Sequence, residues 1–210
     1  MKDYETYLFD VDGTLLDTME LIYRSFRATL AKYDGPDLSR DDILSRIGIP
    51  LKNQLSLYLG DRGDTMGEIM DYHRDFQFTI YQEHLKVFPR VKEVLEELKG
   101  RNKPLAVVTS RSRSSLIPYL DQFGLTNLFD FLVEPSCTEK HKPHPDPVLY
   151  ALDKLNKPAE SALFVGDAYV DMESGQRAGT DTAFVLWGPN DPTKMDPQPT
   201  WLLNSMTDLV

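Results

Sequence analysis

The chain has 210 residues, 41% of them apolar, which is enough to bury a full core and excludes a disordered segment. Its 33 acidic side chains against 23 basic ones give a formal charge of -10, a sum that repels nucleic acid and anionic membranes. The single cysteine, Cys137, excludes an internal disulfide and fits a reducing cytoplasm, and neither a spanning apolar run nor the plan of a signal peptide is present.

The first element is a strand over YETYLFD, which runs into Asp10, Asp12, Gly13 and Thr14. A buried carboxylate costs several kcal/mol unless it is paired or bound to a metal, and two so close repel each other. Asp-Gly between apolar runs is also a strong hairpin signal, so a simple turn competes with a functional reading at this point.

From about Leu16 to Lys86 the pattern is helical. LIYRSFRATLAKY carries apolar residues at helical spacing, SRDDILSRIG begins with a Ser cap, and MGEIMDYHRDFQFTIYQEHL continues the period. This predicts a helical cap domain over 16–86 inserted into a core of 1–15 and 87–210. An insertion after the first strand sits at the carboxyl edge of a parallel sheet, where it can close over a ligand. The aromatic residues of DFQFTIY fall at a spacing that predicts burial within the cap.

Beyond the insertion, VKEVLEELKG predicts a helix, and strands PLAVVTS, FDFLVE, SALFVGD and TAFVLWG alternate with helices SSLIPYLDQFG, DPVLYALDKLN and DMESGQRAG. The alternation predicts an α/β, Rossmann-like parallel sheet flanked by helices. GPNDPTKMDPQP reads as an exposed loop, and Trp187 and Trp201 as packing residues.

The strand ends can then be taken together. The first ends on Asp10, the second on Thr109 and Ser110, and SALFVGD on Asp167, with Asp171 close behind; Lys142 lies in KHKPHPDP, ahead of the helix that leads to Asp167. Parallel strands bring their carboxyl ends to one edge, so these groups converge, which a turn alone does not explain. Clustered carboxylates suit a hard, oxygen-ligated cation such as Mg²⁺, which also relieves the repulsion between Asp10 and Asp12. With Lys142, the Thr109 hydroxyl and the amides of the Val11 to Gly13 loop, the set meets the needs of phosphoryl transfer, with Asp10 as nucleophile and Asp12 as general acid and base.

The ordered motifs DVDGT, VVTS, KPHPDP and GDAYVD resemble the four motifs of the haloacid dehalogenase superfamily, and the helical insertion resembles its α-helical cap. The resemblance implies Asp10 as nucleophile and metal ligand, and Asp12 as acid/base with its backbone carbonyl on the metal. It further implies Thr109, beside Ser110, as the phosphate-binding hydroxyl, Lys142 as the phosphoryl-stabilising cation, Asp167 as a metal ligand and Asp171 as a more distant carboxylate. LLDTM, RIGIPL and VLWG resemble members acting on phosphoglycolate or pyrophosphate. A small phosphorylated metabolite is the expected partner, with the protein a monomer or dimer.

Arg46 and Lys52, which bracket IGIPL in the cap, and Arg111, just past Thr109, are candidate substrate contacts for which ordinary surface charge is the competing reading. His141, His144 and Cys137 read as loop or packing residues. Two other classes stay open: a phosphosugar mutase of the β-phosphoglucomutase type, and a phosphorylation-switched signalling domain, which has no use for a lid or for Asp12.

Overall fold

The computed structural model describes residues 1–47 and 49–210, with only the backbone of Lys194. Gly48, in the IGIPL loop, lies outside the described residues. Short runs rich in β-branched and aromatic side chains form the strands β1 (Thr6–Phe9), β4 (Leu105–Val108), β5 (Phe131–Val133), β6 (Ala162–Gly166), β7 (Asp181–Val185) and β8 (Trp201–Leu203). Among the described residues they make one sheet in the order β5-β4-β1-β6-β7-β8, parallel throughout.

Successive strand residues face opposite sides of the sheet, and both faces are covered. Tyr7, Phe9, Leu105, Val107, Leu163 and Val165 pack against helices α5 (Val91–Gly100) and α6 (Arg113–Gln122). Leu8, Ala106, Val108 and Phe164 pack against α7 (Asp146–Leu155) and the end of α8 (Tyr169–Ala178). Strand β1 lies at the centre, between β4 and β6, where chain order reverses and open α/β sheets bind ligands.

The chain leaves and re-enters this core side by side. Strand β2 (Leu16–Asp17) pairs antiparallel with β3 (Lys86–Val87), and between them run α1 (Met19–Lys32), α2 (Arg40–Leu44), α3 (Leu51–Leu59) and α4 (Thr65–His84). These helices bury a cluster of their own, built on Ile22, Phe26, Leu30, Ile43, Leu55 and Ile69. Ser39 starts α2 with a reciprocal cap: its hydroxyl accepts from the Asp42 amide, and the Asp42 carboxylate accepts from the Ser39 amide. Among the described residues no helix is long and apolar enough to cross a membrane.

One expectation needs correction. The aromatic residues of DFQFTIY form only part of the buried side of α4: Phe78 is 50% exposed, Tyr81 is half-buried against the core, and the buried positions of the helix are Met66, Ile69, His73 and Gln77. Hydrogen bonds to Thr29, Arg111 and Tyr119 let those polar side chains replace apolar ones. The sheet also has a further edge strand, β8, after the proline-rich loop. Three residues are too few to show a period, and β8 holds its place through the sheet ladder to β7 and the Trp201 indole N–H, which donates to the Tyr4 hydroxyl at 2.6 Å. Trp187 packs as expected and donates to the Thr14 carbonyl at 3.0 Å.

Candidate active site

The end of β1 delivers Asp10 into the protein, where it is only 6% exposed. From the loop before α7, the Lys142 ammonium donates to Asp10 Oδ1 at 2.6 Å, to Asp171 Oδ1 at 2.6 Å and to the Val108 carbonyl at 3.1 Å. Those three bonds use all three of its hydrogens. The other oxygen of Asp171 accepts from the Ala168 amide at the start of α8, so this carboxylate both caps the helix and holds Lys142. Asp167, at the end of β6, accepts from the Thr14 hydroxyl at 3.4 Å and from the Asn190 amide group at 3.2 Å.

Asp10, Asp167 and Asp171 each offer an oxygen within 4.8 Å of the others. Burial pushes the Asp10 carboxyl up to about 7; Lys142 pulls it back, and the Asp171 and Asp12 carboxylates raise it further. Burial, then Asp10 and Asp171, drive Asp167 well above the carboxylate range. Burial works against the Lys142 ammonium too, but the two carboxylates outweigh it and hold its pKa above the ordinary lysine value. Three buried carboxylates against one ammonium leave the cluster short of positive charge, and its all-oxygen donor set fits a hard divalent cation.

Glycine keeps this cluster compact. Gly13 has φ +84°, and a Cβ there would sit 2.5 Å from an Asp167 oxygen. Its amide donates to the Leu16 carbonyl at 2.9 Å, so of the loop amides expected to face a phosphate, that one is already committed.

Asp12 points elsewhere and is not part of the acidic cluster. The Arg111 guanidinium grips it with Nε at 3.0 Å from Oδ2 and Nη2 at 2.5 Å from Oδ1. Nη1 of the same side chain donates to Gln77 Oε1 in the cap at 2.9 Å, and the guanidinium lies 4.5 Å from the centre of the Tyr119 ring. The Tyr119 hydroxyl donates to the same Gln77 oxygen at 3.1 Å. The Arg111 backbone amide donates to Thr109 Oγ1 at 3.1 Å, which leaves that hydroxyl's own hydrogen to give elsewhere.

A cavity of about 220 Å³ lies between cap and core, with Asp10, Asp12, Thr109, Ser110 and Arg111 on one side and Phe26, Leu51, Met70, His73 and Gln77 on the other. Lys52 lines it from an exposed position; Arg46 is exposed and is not among the lining residues. Arg111, a candidate substrate contact, lines the cavity and is paired with Asp12. His141 borders a small recess beside Lys142, while His144 lies against Asp146 and Lys140.

His73, Gln77 and Asn190 were not singled out by sequence reasoning. Burial, with the charges of Arg111 and Arg74, pulls the His73 imidazole down to about 3, so the ring is neutral. The Thr29 hydroxyl spends its hydrogen on the Ser25 carbonyl at 2.8 Å, so its 3.0 Å contact with His73 Nδ1 requires the ring hydrogen on Nδ1. Nε2 is then an acceptor. A histidine within a helical period gives no sequence signal of such a place, and Asn190 comes from a stretch that reads as exposed loop.

The model of a family described as haloacid dehalogenase-like hydrolase matches residues 7–185. Pyrophosphatase PpaX of Bacillus pumilus is 36% identical over 206 residues, covering 98% of this chain and 94% of the relative. Pyrophosphatase PpaX of Bacillus velezensis is 35% identical over 210 residues, covering 100% and 96%. A solved β-phosphoglucomutase from Clostridium difficile superposes with a TM-score of 0.86 at 19% identity, covering 99% of this chain and 93% of that one, a likeness of fold.

Proposed function

The chain belongs to the haloacid dehalogenase-like hydrolase family, and from that premise we propose that it is a cytoplasmic, Mg²⁺-dependent phosphatase that cleaves a small phosphorylated metabolite through an aspartyl-phosphate. Pyrophosphate is the leading substrate, since relatives that match this chain nearly end to end carry the name pyrophosphatase; phosphoglycolate is the second. The observation that carries the reading is Asp10, a buried carboxylate on the cavity wall with one oxygen held by Lys142 and the other unclaimed by it.

The free oxygen of Asp10 attacks phosphorus, and the bond from phosphorus to the leaving oxygen breaks with its electron pair going to that oxygen. Asp12 gives the departing oxygen its proton, then takes one from the water that attacks the aspartyl-phosphate, so inorganic phosphate leaves and Asp10 is restored. Lys142 offsets negative charge beside Asp10, and Thr109 has a hydroxyl hydrogen for a phosphoryl oxygen. Asp10, Asp167 and the Asp12 carbonyl, with Asp171 behind them, would hold Mg²⁺, which would supply charge neutralisation for the phosphoryl oxygens. Phe26, Leu51 and Met70 of the cap give the cavity an apolar flank opposite the carboxylates.

The test is a panel of pyrophosphate, phosphoglycolate, nucleoside monophosphates and sugar phosphates assayed with Mg²⁺ for released phosphate. Multiple turnover on pyrophosphate or phosphoglycolate is expected. An isomerised sugar phosphate without free phosphate would assign a mutase instead, and a single stoichiometric phosphorylation of Asp10 would assign a switch.

A further inference from the structure

We propose that Arg111 is a positioning residue that joins the orientation of Asp12 to the seating of the cap. The inference rests on the phosphatase reading, in which Asp12 is the acid and base, and adds to it a residue that works through Asp12 without touching substrate.

Arg111 has four independent attachments, and they lie on both sides of the cavity. On the core side its Nε and Nη2 engage both oxygens of Asp12, a fork geometry that fixes the plane of the carboxylate. On the cap side Nη1 meets Gln77 Oε1 at 2.9 Å. Tyr119 closes the group: its ring lies against the guanidinium and its hydroxyl shares the Gln77 oxygen. Ser115 Oγ lies 3.4 Å from Nη1. The side chain is only 7% exposed, so little water competes for these donors.

The consequence is directional. Gln77 sits on α4 and Asp12 on the core loop, 65 residues apart in sequence, with one rigid planar group between them. When the cap sits as it does here, the Asp12 carboxylate is held at one angle at the cavity wall. If Gln77 withdraws, the guanidinium loses a partner that helped to fix it, and the carboxylate gains freedom. A general base must be aimed as well as ionised, and a misplacement near 1 Å costs roughly a hundredfold in rate. Arg111 thus makes cap position a condition for proton transfer. Lysine could supply the charge but not the fork.

The test is a double-mutant cycle on turnover of p-nitrophenyl phosphate by the full chain, with melting temperatures to check folding. Arg111→Met and Arg111→Lys are both expected to lower kcat by roughly ten- to a hundredfold, with KM changed less than about threefold. Gln77→Met, which leaves the Arg111–Asp12 pair intact, is expected to lower kcat by a few-fold. In an Asp12→Asn background each of these losses is expected to shrink to less than about twofold, because the group being aimed is already disabled. Losses that multiply with Asp12→Asn would overturn the proposal and make Arg111 a direct contact for substrate. A rise in KM restored by Arg111→Lys would do the same. If Arg111→Met does not fold, the Gln77→Met cycle decides alone. A wild-type protein that releases no phosphate from any ester overturns the phosphatase reading itself, an outcome distinct from multiplicative losses.

Discussion

Lys142 and Asp10, 132 positions apart in the chain, are joined by a buried hydrogen bond of 2.6 Å. The bond occupies one carboxylate oxygen and leaves Asp10 a single oxygen with which to attack. Replacing Asp10 with Asn removes the nucleophile while taking one anion from an over-negative cluster. Turnover is expected to fall by at least about a thousandfold, with the melting temperature in chelator unchanged or raised. Near-normal turnover in Asp10→Asn would exclude covalent catalysis by this residue.

The charge deficit around Asp10, Asp167 and Asp171 gives a prediction that does not depend on activity. Mg²⁺ is expected to raise the melting temperature of the chelator-treated protein, and to do so far less in Asp167→Asn. Phosphatase activity is expected to vanish in chelator and return with Mg²⁺ but poorly with Ca²⁺, which takes more oxygens and can engage the attacking one. Identical thermal shifts in the wild type and Asp167→Asn would move the cation site elsewhere.

For Asp12 the two steps can be separated. With p-nitrophenyl phosphate, whose leaving group needs little protonation, Asp12→Asn is expected to release a burst of nitrophenol near one equivalent and then continue at a slow but measurable steady rate with phosphate on Asp10. Rapid quench and digestion would find the modified peptide. Slow, linear release without a labelled peptide would favour direct attack by water over a covalent intermediate.

His73 makes the protein sensitive to acid. Its folded pKa of about 3 lies below the ordinary histidine value of 6.5, so below pH 6.5 the unfolded chain takes up a proton that the folded one refuses. Stability from this residue is therefore present above pH 6.5 and is lost as pH falls toward 3, by at most about 1.4 kcal/mol per pH unit. Urea midpoints at pH 7 and pH 5 should differ more for the wild type than for His73→Gln. Equal differences would mean that the folded protein takes up a proton at His73 as readily as the unfolded chain does, and a smaller difference in the wild type would mean a protonated, paired histidine.

The strand ends were legible because a parallel sheet aligns its carboxyl edges whatever lies between, so Asp10, Thr109 and Asp167 could be placed together from pattern alone. Lys142 followed from its place ahead of the helix that leads to β6. The contacts of Arg111 were not legible, because whether an arginine meets solvent, substrate or a carboxylate depends on side chains brought from α4 and α6. Helical periodicity likewise predicts that a face is buried but assumes that it is apolar, and α4 turns His73 and Gln77 inward. In Phe78 the same assumption failed from the other side.

The paired dipeptides of β2 and β3 have a consequence for how such proteins diversify. Because Leu16–Asp17 and Lys86–Val87 clasp each other directly, the entropy of bringing the ends of the insertion together is borne at the clasp and not by the sheet beneath. Doubling the length of the insertion would add only about 0.6 kcal/mol of closure entropy. The clasp is thus a socket: one phosphoryl-handling base can accept lids of different size and lining, and new selectivity can be acquired by exchanging the lid alone.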